Sequence, residues 1–136
     1  MKKFYSMYQK AVDSDGNVHY VTVVGQFEQR RERKTIEEVI PVYLSEKSTV
    51  EGVIVYPSNK ILTRKLTLGV SICHPLDEFD KEKGEEIAKS RIKRGDVIGS
   101  LETNDVTMLT EDAIMAEIFT KLMYIAKNID DYIEKD

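Results

Sequence analysis

The chain has one cysteine, two histidines, three prolines and no tryptophan in 136 residues. A lone Cys73 excludes an intrachain disulfide and any multi-cysteine zinc site, so neither can staple the fold. His19 and His74 are the only histidines. There is no His-Glu-x-x-His helix, no Gly-x-Ser-x-Gly elbow and no glycine-rich phosphate loop, which argues against histidine, zinc or serine catalysis. Low glycine and proline, with no homopolymeric tract, argue against a disordered tail. The apolar segments, such as residues 53–56 and 66–73, fall far short of the roughly 20 residues a membrane span needs. Residues 1–3 lead into a polar-mixed pattern rather than the apolar core of a secretion signal, so a cytoplasmic location and no membrane partner are expected. The formal net charge of −4 leaves no broad basic field for a long nucleic acid.

What remains is material for one compact unit over residues 1–136, with 41% hydrophobic residues and no visible repeat or linker. Two halves differ in period. Up to about Thr67 the pattern is β-like: a first strand carrying Phe4, Tyr8 and Val12, a strong turn at 13–17, then an antiparallel partner from Val18 to Phe27. Residues 40–44 and 50–56 read as shorter strands, with a turn at Pro57, Ser58 and Asn59 and a long strand from Lys60 to Cys73. A helix is predicted to start at an Asp80 cap and stop at Gly95, with Lys93 and Arg94 in its last turn. Gly84 inside it points to a close approach of backbone or ligand, or is merely tolerated at a cost of roughly 1 kcal/mol. A strand-like segment at 97–108 follows. Thr110 then caps a last helix whose Ile114, Ile118, Leu122, Ile125, Ile129 and Ile133 form one apolar stripe. Met115, Phe119, Met123 and Ala126 widen that face, which suits either a deeper seat in its own core or a partner subunit. The fold class expected is α+β, an N-terminal antiparallel sheet with two C-terminal helices.

The chemistry-bearing residues concentrate where the long strand meets the first helix. A helix start presents unpaired backbone N–H groups and a positive dipole end, so this junction suits an anion. Phe79 precedes the helix, and either staples its first turn or stacks on a base. Lys89, Arg91, Lys93 and Arg94 supply charge. Arg91 lies four residues after Ile87 and three after Ala88, on the apolar side of the helix, and should meet something anionic. Thr103 and Asn104 interrupt an apolar strand: they read a base edge or ribose, or mark a turn. Arg30, Arg31, Arg33 and Lys34 form a second basic cluster that is either solvated, paired with nearby glutamates, or directed at phosphate. Cys73 and His74 are adjacent on a strand, so they point to opposite faces and cannot act as nucleophile and base together. Asp77, Glu78, Asp80, Glu82, Glu85 and Glu86 are dense enough to hold a metal or act as acid and base, though such a run is usually a solvated helix start.

The segment from Val70 to Arg91, and residues 101–110 leading into the last helix, resemble the phage Thoeris anti-defence proteins of the first-described type. These are sponges for cyclic ADP-ribose signals. The resemblance covers about the C-terminal half of the chain and reaches the other half only through its β-rich character. It implies a small α+β protein, assembled as a dimer or hexamer, that holds a cyclic nucleotide between subunits without cleaving it and works in the cytoplasm of an infected bacterial host. By motif position Phe79 matches the family's aromatic and Arg91 its closing basic residue, while Lys89 stands where an amide side chain is expected. Arg30 is one candidate for an N-terminal arginine of the site. Cyclic ADP-ribose isomers are the implied ligands, cyclic trinucleotides a further class, and no cofactor or resident metal is implied. Two other readings stand beside it: a metal-dependent cyclic-nucleotide hydrolase using the acids at 77–86, and a small phage nucleic-acid-binding regulator using the basic cluster at 30–34.

Overall fold

The computed structural model describes residues 2–33, 35–57, 61–105 and 107–133. In chain order the elements are β1 (Lys2–Val12), β2 (Val18–Glu32), β3 (Thr35–Ser45), β4 (Ser48–Pro57), β5 (Ile61–Cys73), α1 (Lys81–Lys93), β6 (Gly99–Thr103) and α2 (Glu111–Lys127). The first reversal is local chemistry. Asp13 Oδ1 accepts from the backbone N–H of Asp15 and of Asn17, each at 2.9 Å. Gly16 takes φ +83°, a conformation that costs glycine little. The hairpin that follows is in register from Lys2↔Glu28 to Val12↔Val18.

β2 pairs on its other edge with β5, from Tyr20↔Cys73 to Glu32↔Ile61, and β6 covers β5 only from Arg64 to Leu68. The larger sheet therefore runs β1-β2-β5-β6. The fold is α+β, an N-terminal antiparallel sheet with two helices, to which the C-terminal half adds the short edge strand β6. Because side chains alternate along a strand, β2 serves two cores. Val21, Val23 and Phe27 join Leu66 and Leu68 against Ile114, Ile118, Leu122 and Ile125 of α2. Val24 points the other way and meets Ala88 and Ile92 of α1. The sheet is thus a middle layer with one helix on each face.

The helix starts are where the caps predict them. Asp80 Oδ1 accepts from the N–H groups of Glu82 and Lys83, and Thr110 Oγ1 from that of Ala113. Gly95, at φ +83°, ends the turn after α1. α1 sits close to the sheet because two glycines let it. A Cβ at Gly69 would stand 2.6 Å from the Ala88 carbonyl oxygen, and one at Gly84 would stand 2.9 Å from Thr22 Oγ1. Gly84 is therefore a close approach of helix to sheet.

Three expectations need correction. α2 stops at Lys127, and the stripe continues through a 3₁₀ turn, Ile129–Asp131, in which Ile129 stays buried. Strand 97–108 shrinks to Gly99–Thr103, because Asp105 then ties its own turn by accepting from the N–H and hydroxyl of Thr107. The strands at 40–44 and 50–56 are longer than predicted, as β3 and β4, and pair with each other rather than with the larger sheet. Lys34, Ser58, Asn59 and Lys60 lie outside the described residues. No described helix is long and apolar enough to cross a membrane.

Candidate functional site

Two cavities adjoin at the end of the sheet where β5 leads into α1, sharing Ile72, Cys73 and His74 as a common wall. The smaller, about 200 Å³, lies between the sheet and the start of α1, lined in part by Tyr20, Thr22, Ser71, Phe79 and Lys83. The larger, about 640 Å³, is bounded by Asp13, His19, Leu76, Arg91 and Tyr132. Only the larger falls within the roughly 300–1,000 Å³ usual for small-molecule sites.

Phe79 lies on the Tyr20 ring, with centroids 4.3 Å apart and planes at 15°, and touches Tyr8 at 5.1 Å and 43°. In the sequence Tyr8 marks only the first strand and Tyr20 is not singled out, although the signal was there. The turn at 13–17 fixes the hairpin register, which places Tyr8 opposite Thr22 and Lys10 opposite Tyr20, so both tyrosines share a face. Thr22 Oγ1 is buried there and has no hydrogen-bond partner among the described residues, whereas the Ser71 hydroxyl donates to the Gly84 carbonyl at 2.8 Å.

Arg91 was expected to meet an anion. Its Nη1 instead donates to the Val70 carbonyl at 2.7 Å. The reason is topological: Leu68 accepts from Ile98, β6 goes no further along β5, and the Val70 carbonyl faces the same uncovered edge. Among the described residues no carboxylate pairs with Arg91. A guanidinium has five N–H donors, so this bond orients the fork at the rim of the larger cavity and leaves donors over.

The remaining candidates are elsewhere. Lys89 Nζ stands 4.6 Å over the Phe4 ring, a cation–π contact, and lines neither cavity. Asn104 Oδ1 accepts from the Thr63 hydroxyl at 3.1 Å, and Thr103 Oγ1 accepts from the Asp105 N–H at 3.0 Å, so both tie the chain as it leaves β6. Exposed Arg30 is 3.5 Å from Glu32. Register puts Arg30 opposite Thr63, and Thr103 opposite Arg64. From Arg64 to Cys73 is roughly 30 Å of strand at 3.3 Å per residue. Within one chain, then, Phe79 and Arg91 share one end of the sheet while Arg30, Thr103 and Asn104 share the other.

Cys73, both histidines and Asp80 have structural partners. Cys73 is half-buried with Sγ 3.5 Å from the His74 carbonyl, and burial, aided by Asp77, pushes the thiol up and away from thiolate. His74 Nδ1 accepts from the Leu76 N–H. His19 is buried and donates from Nε2 to Asp13 Oδ2 at 2.8 Å, and with the turn N–H groups this holds the Asp13 carboxyl below its ordinary value. Asp80 is committed to capping α1. Among the described residues no group of three or more His, Cys, Asp or Glu is arranged to hold a metal ion. No family model, no curated protein and no solved structure matches the chain.

Proposed function

We propose that this chain is a non-catalytic phage anti-defence protein that binds cyclic ADP-ribose isomers and so withholds them from the Thoeris defence of the infected bacterium. It acts in the host cytoplasm as a homo-oligomer, a dimer or hexamer, with cyclic trinucleotides as a further ligand class. The observation that carries the reading is the Ile72 to His74 wall, with an aromatic stack on Phe79 along one cavity and the Arg91 fork on the other. A cyclic dinucleotide-like messenger offers a base to the first and phosphate to the second.

Sequestration needs burial and charge neutralisation but no general base. A crevice completed by a second copy removes more of a small dianion from water than an open surface can. The split between the Phe79 end and the Arg30, Thr103 and Asn104 end suits a site to which two copies contribute opposite ends.

The test is recovery. The chain is incubated with a cyclic ADP-ribose isomer, denatured, and the released compound identified by mass spectrometry; intact ligand in stoichiometric amount is expected. Release of a ring-opened product that depends on Mg²⁺ or Mn²⁺ would replace this reading with the hydrolase.

A further inference from the structure

The two histidines meet at one corner of the larger sheet. His19 precedes Tyr20 and His74 follows Cys73, so each lies one position beyond the last antiparallel pair of β2 with β5, Tyr20↔Cys73. Both line the larger cavity, which Arg91 also bounds.

Local bonds fix the two rings in the same tautomer and leave opposite functions free. The Asp13 carboxylate can only accept, so His19 carries its proton on Nε2 and a lone pair on Nδ1. That Nδ1 is buried and has no partner among the described residues, in a residue only 5% exposed. His74 Nδ1 accepts from the Leu76 N–H, so the exposed His74 ring keeps its proton on Nε2, which has no hydrogen-bond partner among the described residues.

The cavity therefore offers donors from Arg91 and His74 and an acceptor from His19. A buried acceptor without a donor is costly, so a ligand that supplies one relieves that cost as it binds. Charge sorts the ligand in the same way. Asp13 is committed to His19 and the turn amides, and exposed Asp15 on that turn disfavours an anion on the His19 side. An anion belongs with Arg91 and His74, and a hydroxyl with His19.

We propose that the larger cavity seats a phosphoryl group carried on a polyol, as in a pentose phosphate. Arg91 and His74 Nε2 donate to the phosphoryl oxygens, and His19 Nδ1 accepts from a hydroxyl. The inference rests on the reading above for the phosphate at Arg91, and adds to it the sugar and both histidines.

Nitrogen NMR of the histidine side chains in the ligand-free full chain is the first test: both rings should show the Nε2–H tautomer. Added D-ribose 5-phosphate should move the His19 Nδ1 and His74 Nε2 resonances together, whereas inorganic phosphate should move only the second. By calorimetry n-pentyl phosphate, which keeps the carbon chain without hydroxyls, should bind about tenfold more weakly than the sugar phosphate. His74→Asn keeps an acceptor for the Leu76 N–H but loses the Nε2 donor, and should weaken ribose 5-phosphate binding about tenfold; His74→Gln, whose amide N–H can stand near the Nε2 position, should weaken it less. Either ring in the other tautomer overturns the proposal. So do resonances unmoved at the highest ribose 5-phosphate concentration reached, or pentyl phosphate bound as tightly as the sugar phosphate. Recovery of intact messenger without these shifts would remove the histidines and spare the functional reading; the shifts in a chain that retains no messenger would keep the cavity and remove that reading.

Discussion

Phe79 lies on Tyr20 as a near-parallel stack, 4.3 Å between centroids, in the lining of the smaller cavity. The stack fixes the Phe79 rotamer before any ligand arrives, so little side-chain entropy is left to lose on binding. If a base docks on this aromatic group, Phe79→Ala should weaken messenger binding about 5- to 150-fold, the equivalent of roughly 1–3 kcal/mol for one stacked base. Tyr20→Ala should weaken it as well, through lost support for the ring. Titration calorimetry measures both, and circular dichroism checks the fold. Unfolding of both variants would make the stack a packing element and misplace the site.

Arg91 gives a second test because its partner is a neutral carbonyl. Arg91→Ala removes the donor to Val70, a loss of about 1.5–3 kcal/mol for a charged hydrogen bond, discounted because the group is partly exposed. It also removes the charge offered to phosphate. Arg91→Lys keeps the charge without the planar fork. Binding should fall about tenfold or more in the lysine variant and further in the alanine variant, and the alanine variant should show the weaker salt dependence. Equal binding in all three proteins would take Arg91 out of the site.

The two close glycines should differ in what a methyl group costs. At Gly69 the obstacles are the Ala88 carbonyl at 2.6 Å and Ile92 at the same distance, a backbone and a core side chain. At Gly84 they are the hydroxyls of Thr22 and Ser71, at 2.9 and 3.3 Å, and alanine regains about 1 kcal/mol of helix propensity. Gly69→Ala should therefore destabilise by about 1–3 kcal/mol and Gly84→Ala by less. Urea unfolding midpoints decide it, and the reverse order would mean α1 does not cross the sheet as described.

What was legible in the sequence is what local chemistry decides. Asp80 and Thr110 cap because a short acceptor precedes an amphipathic run, and Ile114, Ile118, Leu122 and Ile125 share a stripe through spacing alone. All four are at most 2% exposed, so that stripe belongs to the chain's own core, and Phe119 and Tyr124 carry the exposed side of α2. Spacing also put Arg91 on the sheet side of α1, but could not name its partner. The Val70 carbonyl needs a donor only because β6 ends early, and that is a fact of tertiary pairing. The separation of Phe79 and Arg91 from Arg30, Thr103 and Asn104 was illegible for the same reason, since it follows from the register of β2, β5 and β6. The pairing of β3 with β4 alone likewise depends on where the larger sheet stops, because strand propensity says nothing about which sheet a strand joins.

The first turn carries a pH dependence that spacing did not suggest. Asp13 takes the Nε2 proton of buried His19 on one oxygen and two backbone N–H groups on the other. The His19 bond is the largest cause of its lowered pKa, the backbone bonds add to it, and burial opposes it. A folded-state value below the ordinary Asp value of about 3.9 means the charged carboxylate stabilises the fold fully above that pH. The contribution is lost as pH falls through the lower folded value, and no loss is expected from this group on the alkaline side. In Asp13→Asn the side-chain oxygen still accepts from the turn amides, so the hairpin is kept while the acid dependence goes. Urea midpoints followed from about pH 5 to about pH 2 should fall more steeply in the wild type than in the variant. Parallel curves would assign acid lability to other carboxylates and leave the Asp13–His19 pair a purely geometric device.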